Sequence, residues 1–158
     1  MIDIINGSGL KDVMRNISFQ LNIDVVDVPS PTVHVKETLE SIVAGPIRKL
    51  TNSRYNLPEW VECSVDERKQ IGFIGNSITL KNVRHTADHR IATVTRRTYS
   101  SKHKKNYFTV EELVDILVRF ERLDRPKSCI LNDGRIDRGN IFLGLHKESS
   151  SCYSVRWI

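Results

Sequence analysis

Phe108-Thr109-Val110-Glu111-Glu112-Leu113-Val114-Asp115-Ile116-Leu117-Val118-Arg119-Phe120-Glu121-Arg122-Leu123 is the stretch that decides the fold class. Val110, Leu113, Val114, Leu117, Phe120 and Leu123 recur at helical spacing and form one continuous apolar stripe. Thr109 stands where a cap belongs, and Glu112 follows three residues later, so each can satisfy a free N–H of the first turn. Phe108 and Leu113 are spaced as a hydrophobic staple. Glu111 and Glu112 face the positive end of the helix dipole, and Arg119 and Arg122 lie toward the negative end. The reading is a helix over residues 110–123 that needs a sheet to cover its stripe, with Pro126 ending it.

Downstream of this helix, Asn132-Asp133-Gly134 is a turn signal. Residues 141–146 and 152–157 read as strands, and residues 147–151 join them into a C-terminal β-hairpin. Upstream, residues 77–83 and 90–98 are rich in Ile, Val and Thr and read as strands, followed by a basic loop over residues 99–106. Residues 72–76 read as a break. Ser64 and Glu67 have the spacing of a capping box, which predicts a short helix near residues 65–70. Residues 56–60 read as a loop.

Nearer the N-terminus, Val35, Leu39, Ile42 and Val43 share a helical face that Gly45-Pro46 closes. Residues 23–28 form a β-branched run stopped by Pro29-Ser30-Pro31. Leu10, Val13, Met14 and Ile17 predict a first helix starting at Ser8 or Gly9. No repeat, low-complexity tract or linker divides the 158 residues. The fold class is α+β: a single domain over residues 1–158, with a mostly antiparallel sheet, two to four helices and a C-terminal β-hairpin.

Composition narrows the function classes. A hydrophobic fraction of 39% and a charged fraction of 27% are those of a globular chain, not a disordered one. No apolar run approaches the ~20 residues of a membrane span, and the N-terminus has no signal-peptide pattern. Cys63, Cys129 and Cys152 are odd in number and lack Cys-x-x-Cys spacing, which predicts reduced thiols and a cytoplasmic protein.

The net charge of +5 is concentrated. Between positions 81 and 105 stand Lys81, Arg84, Arg90, Arg96, Arg97, Lys102, Lys104 and Lys105 against one acid, Asp88, so the rest of the chain is net negative. Tyr99, Tyr107 and Phe108 are interleaved with these bases. Cations on a protruding hairpin neutralise phosphates, and neighbouring aromatics can stack on unpaired bases. The candidate nucleic-acid or partner-binding residues are therefore Lys81, Arg84, Arg90, Arg96, Arg97, Tyr99, Lys102, Lys104, Lys105 and Tyr107. The same ribbon would also suit an acidic protein surface, or serve only as solvated surface.

Catalytic patterns are fragmentary. His85-Thr86-Ala87-Asp88-His89 approximates a zinc-peptidase motif, but it falls in a turn between strands and carries Asp in place of Glu. Asp88-His89 and Glu67-Arg68-Lys69 resemble pieces of metal-dependent nuclease sites without their remaining ligands. Asp133 and Asp137 flank a turn. There is no Gly-x-Ser-x-Gly, phosphate loop or dinucleotide fingerprint. Trp60 and Trp157 read as packing residues, with a partner-anchoring role as the alternative. The sequence points to a non-enzymatic nucleic-acid-binding accessory or regulatory protein without cofactor or membrane. An inhibitor or immunity-type protein covering an acidic partner is the alternative, and a metal-dependent nuclease a weaker one.

Overall fold

The computed structural model describes residues 9–22, 42–52, 55, 57–85, 92–128 and 139–158. In chain order the strands are β1 (Gly9–Leu10), β2 (Ile17–Ser18), β3 (Leu21–Asn22), β4 (Val43–Ala44), β5 (Arg48–Asn52) and β6 (Pro58–Glu62). The short helix α1 (Val65–Arg68) follows, then β7 (Ile71–Ile74), β8 (Ser77–His85), β9 (Ala92–Ser100) and β10 (Tyr107–Thr109). The long helix α2 (Val110–Ser128) precedes β11 (Phe142–Ser149) and β12 (Cys152–Trp157). The architecture is mostly antiparallel sheet with few helices. Strand orders are β1-β7-β10, β11-β12-β8-β9, β2-β5-β6 and β3-β4. Among the described residues the only parallel pair is β8 with β12.

The helix expected from its periodicity is present and is the centre of the core. Glu112 N–H donates to Thr109 Oγ1 at 3.2 Å, and the Glu112 carboxylate accepts from the Thr109 hydroxyl at 3.1 Å and from Lys105 Nζ at 3.2 Å. Burial pushes the Glu112 carboxyl up, but the bonds from Lys105 and Thr109 outweigh it and hold the group below its ordinary range. Phe108 and Leu113, the two halves of the staple, are both buried. The burial of α2 goes beyond its stripe. Ile116, Val118, Glu121, Asp124 and Arg125 are buried as well, while Glu111, Asp115 and Arg119 stay exposed. Strands β4, β7, β8, β9 and β10 all contact the helix, so sheet surrounds it on more than one side.

Buried charge on α2 is tied into this surround. Arg125 Nε lies 3.3 Å from Glu121 Oε1, its Nη2 donates to Gly139 O at 2.8 Å, and its guanidinium sits 5.2 Å from the Trp157 ring centre. Asn82 of β8 donates to Asp124 Oδ2 at 3.0 Å and accepts Val155 N–H at 3.3 Å. One asparagine thus joins helix, β8 and β12. The terminal hairpin closes the other side: Phe142 stacks on Phe19 at 5.1 Å, and both rings meet Trp157 edge-on at 5.7 Å.

The Ser64–Glu67 capping box forms as read, with Ser64 N–H donating to Glu67 Oε1 at 2.9 Å and Glu67 N–H to Ser64 Oγ at 3.2 Å. The strand over residues 77–83 extends to His85, and that over 90–98 continues to Ser100, which takes Tyr99 out of the loop.

Five expectations are corrected. The first helix is instead a 3-10 turn, Asp12–Asn16, between β1 and β2. Gly9 has φ +84°, Lys11 is extended, and Leu10 pairs with Phe73, so strand pairing overrides a weak local period. Val43, placed at the end of a second helix, lies in β4 paired with β3. Residues 58–60 are not loop but the start of β6, paired with β5 from Asn52–Pro58 to Arg48–Glu62. Pro58 opens an edge strand, where its missing N–H breaks no ladder bond. The presumed break at 72–76 contains β7. There Gly72 serves close approach, since a Cβ would meet Leu113 Cδ1 at 2.7 Å. Helix α2 continues through Pro126 to Ser128, where the proline sits in the last turn and removes one N–H. The strand over 23–28, the helical face of Val35 and Leu39, and the turn at Asn132-Asp133-Gly134 lie outside the described residues.

Candidate nucleic-acid interface

Strands β8 and β9 pair over nine registers, from Ser77–Ser100 to His85–Ala92. At ~3.4 Å per residue this is a ribbon about 30 Å long. Backbone pairing of β8 with β12 covers Thr79 and Leu80, and Val155 N–H donates to Asn82 Oδ1, so β12 flanks β8 past the Lys81–Arg96 position. Alternation sorts the ribbon's side chains. Ile78, Leu80, Asn82, Thr95 and Tyr99 are buried. On the opposite face Thr79 and Thr98 share a 2.7 Å hydroxyl bond, Lys81 stands opposite Arg96, and Val83 (44% exposed) stands opposite Val94 (55% exposed).

The Lys81–Arg96 pair is the informative contact. Like charges directly opposite on a sheet are destabilising. Residues 77–85 and 92–109 contain no Asp or Glu to compensate them. Glu148 of β11 lines a cavity of about 290 Å³ together with Lys81, Val83 and Ser154.

The basic turn after β9 is held in place rather than left loose. Ser101 N–H donates to Asn76 O at 2.9 Å, Gly75 N–H to Asn106 O at 2.8 Å, and the Ser101 hydroxyl to Lys105 O. Lys102–Lys104 form one 3-10 turn that ends with Lys104 at φ +54°, a conformation few non-glycine residues adopt. Lys102 and Lys104 point outward, exposed.

The ten residues expected to form the interface therefore divide. Lys81 and Arg96 share the exposed face of the β8–β9 pair, Arg97 stands opposite buried Leu80 on the Tyr99 side of the edge strand β9, and Lys102 and Lys104 are exposed on the turn that follows. Lys105 is engaged with Glu112, and its ammonium lies 4.9 Å from the Tyr107 ring centre, so both are already partnered. Tyr99 does not fit the role of a base-stacking ring. It is 8% exposed, Arg119 covers it at 5.2 Å, and burial raises its pKa against the opposing effect of Arg119 and Arg97. Arg84 sits in β8 opposite Thr93, and Arg90 lies outside the described residues.

Two further cations stand nearby that residue counting did not include. Arg119 of α2 covers Tyr99 on the helix-facing side of β9, and Arg156 is exposed on the face of β12 opposite buried Tyr153 and Val155. The alternation Tyr153, Val155, Trp157 held the signal for Arg156. The position of Arg119 depends on where the helix docks.

Among the described residues no group of three or more His, Cys, Asp or Glu is placed to hold a metal. Asp88, His89, Asp133, Asp137 and Cys129 lie outside those residues. Glu67 caps α1 and is ion-paired to Lys49; the Lys49 hydrogen bond, then that from Ser64 N–H, bring its pKa to about 2. Cys63 and Cys152 are buried free thiols, and burial raises the pKa of Cys63. No described helix is long and apolar enough to cross a membrane. The chain matches no protein-family model, no curated protein and no solved structure.

Proposed function

We propose that this chain is a non-enzymatic nucleic-acid-binding protein that sets the β8–β9 ribbon and the Lys102–Lys104 turn against a phosphate backbone. The observation that carries the reading is Lys81 directly opposite Arg96 on a ribbon whose described residues include no acid. Phosphates between two such cations relieve a repulsion that the free protein bears. Tyr99 and Tyr107 are both engaged within the protein, which favours backbone contact on a duplex over base stacking.

The test is the salt dependence of binding to a mixed-sequence duplex. Each phosphate contact contributes a slope of about −0.9 to log affinity against log salt, so a Lys102→Gln/Lys104→Gln variant should flatten the slope by about 1.8. Adding Arg96→Gln should bring the change to about 2.7. Lys105→Gln should leave the slope nearly unchanged, because Glu112 already neutralises that ammonium. Absence of binding to duplex and single strand at about 50 mM salt, where counterion release still favours association, would overturn the proposal. The second reading, an inhibitor that covers an acidic protein surface, draws on the exposed Val83–Val94 pair on the same face as Lys81 and Arg96. It predicts one tight protein partner that Val94→Ser and Arg96→Gln both weaken.

A further inference from the structure

We propose a second site, separate from the basic ribbon: a cleft between the β5–β6 hairpin and the start of β11 that binds a small amphipathic anion. The ligand class is a flat or branched apolar body carrying one carboxylate, sulfonate or phosphate. The cleft encloses about 480 Å³, within the usual range of small-molecule sites. Its floor is the stacked pair Phe19 and Phe142. One wall is the cross-strand pair Leu50 and Trp60, and the other is Leu143. Trp60 is 48% exposed and Leu143 60%, so large apolar side chains meet water around a concavity that has an aromatic base.

Charge sets the sign of the ligand. Arg15, from the 3-10 turn before β2, and Arg48, from β5, line the cleft, and none of its described lining residues is acidic. Acids stand nearby but outside it. Asp12 lies 3.7 Å from Arg15 with both side chains largely exposed, and Glu62 pairs in register with Arg48 across the hairpin. Exposed pairs of this kind are weak, and a guanidinium keeps donors to spare for a second acceptor. The architecture explains the arrangement. The β5–β6 hairpin and β2 form one three-stranded sheet, so it stands beside β11 as a flap. Phe142 N–H to Phe19 O (2.9 Å) and the Ser18 hydroxyl to Phe142 O (2.8 Å) pin the two sides at the floor. Enclosure by side chains from four separate segments suits a compact ligand rather than an extended chain.

The probe is 8-anilinonaphthalene-1-sulfonate, which joins an aromatic body to one anion, titrated into the full chain. The expected result is saturable enhancement at one site per chain. An Arg15→Gln/Arg48→Gln variant should weaken it about tenfold to a hundredfold, as expected on losing hydrogen bonds to a charged group. Trp60→Ala should weaken it at least as much, and the uncharged analogue N-phenyl-1-naphthylamine should bind wild type more weakly. Lys102→Gln/Lys104→Gln should leave dye binding unchanged, which separates this site from the nucleic-acid reading. Variants are compared only where the cooperative thermal transition is kept; should Trp60→Ala lose it, the arginine pair and the uncharged analogue decide. Dye binding that is unsaturable, insensitive to the arginine pair, or matched by the uncharged analogue overturns the proposal.

Discussion

Asn82→Ala is the perturbation that best tests how the central helix is held. Asn82 is 3% exposed on β8, its amide donates to Asp124 Oδ2 at 3.0 Å, and its carbonyl accepts Val155 N–H at 3.3 Å. Truncation removes a hydrogen bond to a buried carboxylate, worth ~1.5–3 kcal/mol, and leaves a buried N–H facing a void, which costs ~1–3 kcal/mol. The two overlap, so a total near 3 kcal/mol is expected. With a urea m-value of about 2 kcal/mol/M, the unfolding midpoint should fall by roughly 1.5 M. The assay is urea denaturation followed by far-UV circular dichroism. Thr98→Ala is the control, since its 2.7 Å hydroxyl bond to Thr79 is exposed and should matter by no more than ~0.5 kcal/mol. If Asn82→Ala moved the midpoint no further than Thr98→Ala, the asparagine would not couple β8, β12 and α2. Asn82→Asp sharpens the test by setting a second carboxyl against Asp124. That group is expected to titrate higher in the folded protein than in the unfolded chain, so the variant should lose most stability at neutral pH and regain part of it in acid.

Leu117→Ala, at the middle of the buried helix, should cost ~2–5 kcal/mol, against about 1 kcal/mol for Thr109→Ala, read by the same urea titration. Equal costs would refute the core-facing orientation of α2. Glu67 has a folded pKa of about 2, below its unfolded value, so the Lys49–Glu67 contribution is present above the unfolded carboxylate range and is lost as pH falls toward 2. Lys49→Met should accordingly flatten the acid limb of the stability profile, and an unchanged limb would refute the assignment. Ending the chain before Asn140 removes buried Phe142, Tyr153 and Val155 together with Trp157, and should leave a chain without a cooperative thermal transition, checked against the full chain by circular dichroism.

The elements legible in the sequence were those whose signals are local. The Thr109–Glu112 cap and stripe and the Ser64–Glu67 box satisfy their own backbone within a few residues, the Ile/Val/Thr-rich runs became β8 and β9, and the two C-terminal segments read as a hairpin became β11 and β12. The concentration of bases over residues 81–105 was equally plain, because charge is additive along a chain. Strands β1, β4, β6 and β7 were not legible, since they are two to five residues long and exist through distant partners: Leu10 by Phe73, Val43 by Asn22, Trp60 by Leu50. Gly72 looked like a break for the same reason, its role being to admit Leu113 from a helix 41 residues away.

The tertiary structure also decided which cations remain available. Sequence proximity placed Lys105 beside Lys102 and Lys104, yet docking of α2 brings Glu112 to Lys105 and leaves the other two exposed. Tyr99 counted as a ribbon aromatic until the helix laid Arg119 over its buried ring. Composition and period determined that the chain has a capped central helix, a mostly antiparallel sheet and a basic ribbon. Which face of each strand meets that helix, and so which charges are neutralised internally and which are left for a partner, depends on packing between segments far apart in sequence, and no local pattern encodes it.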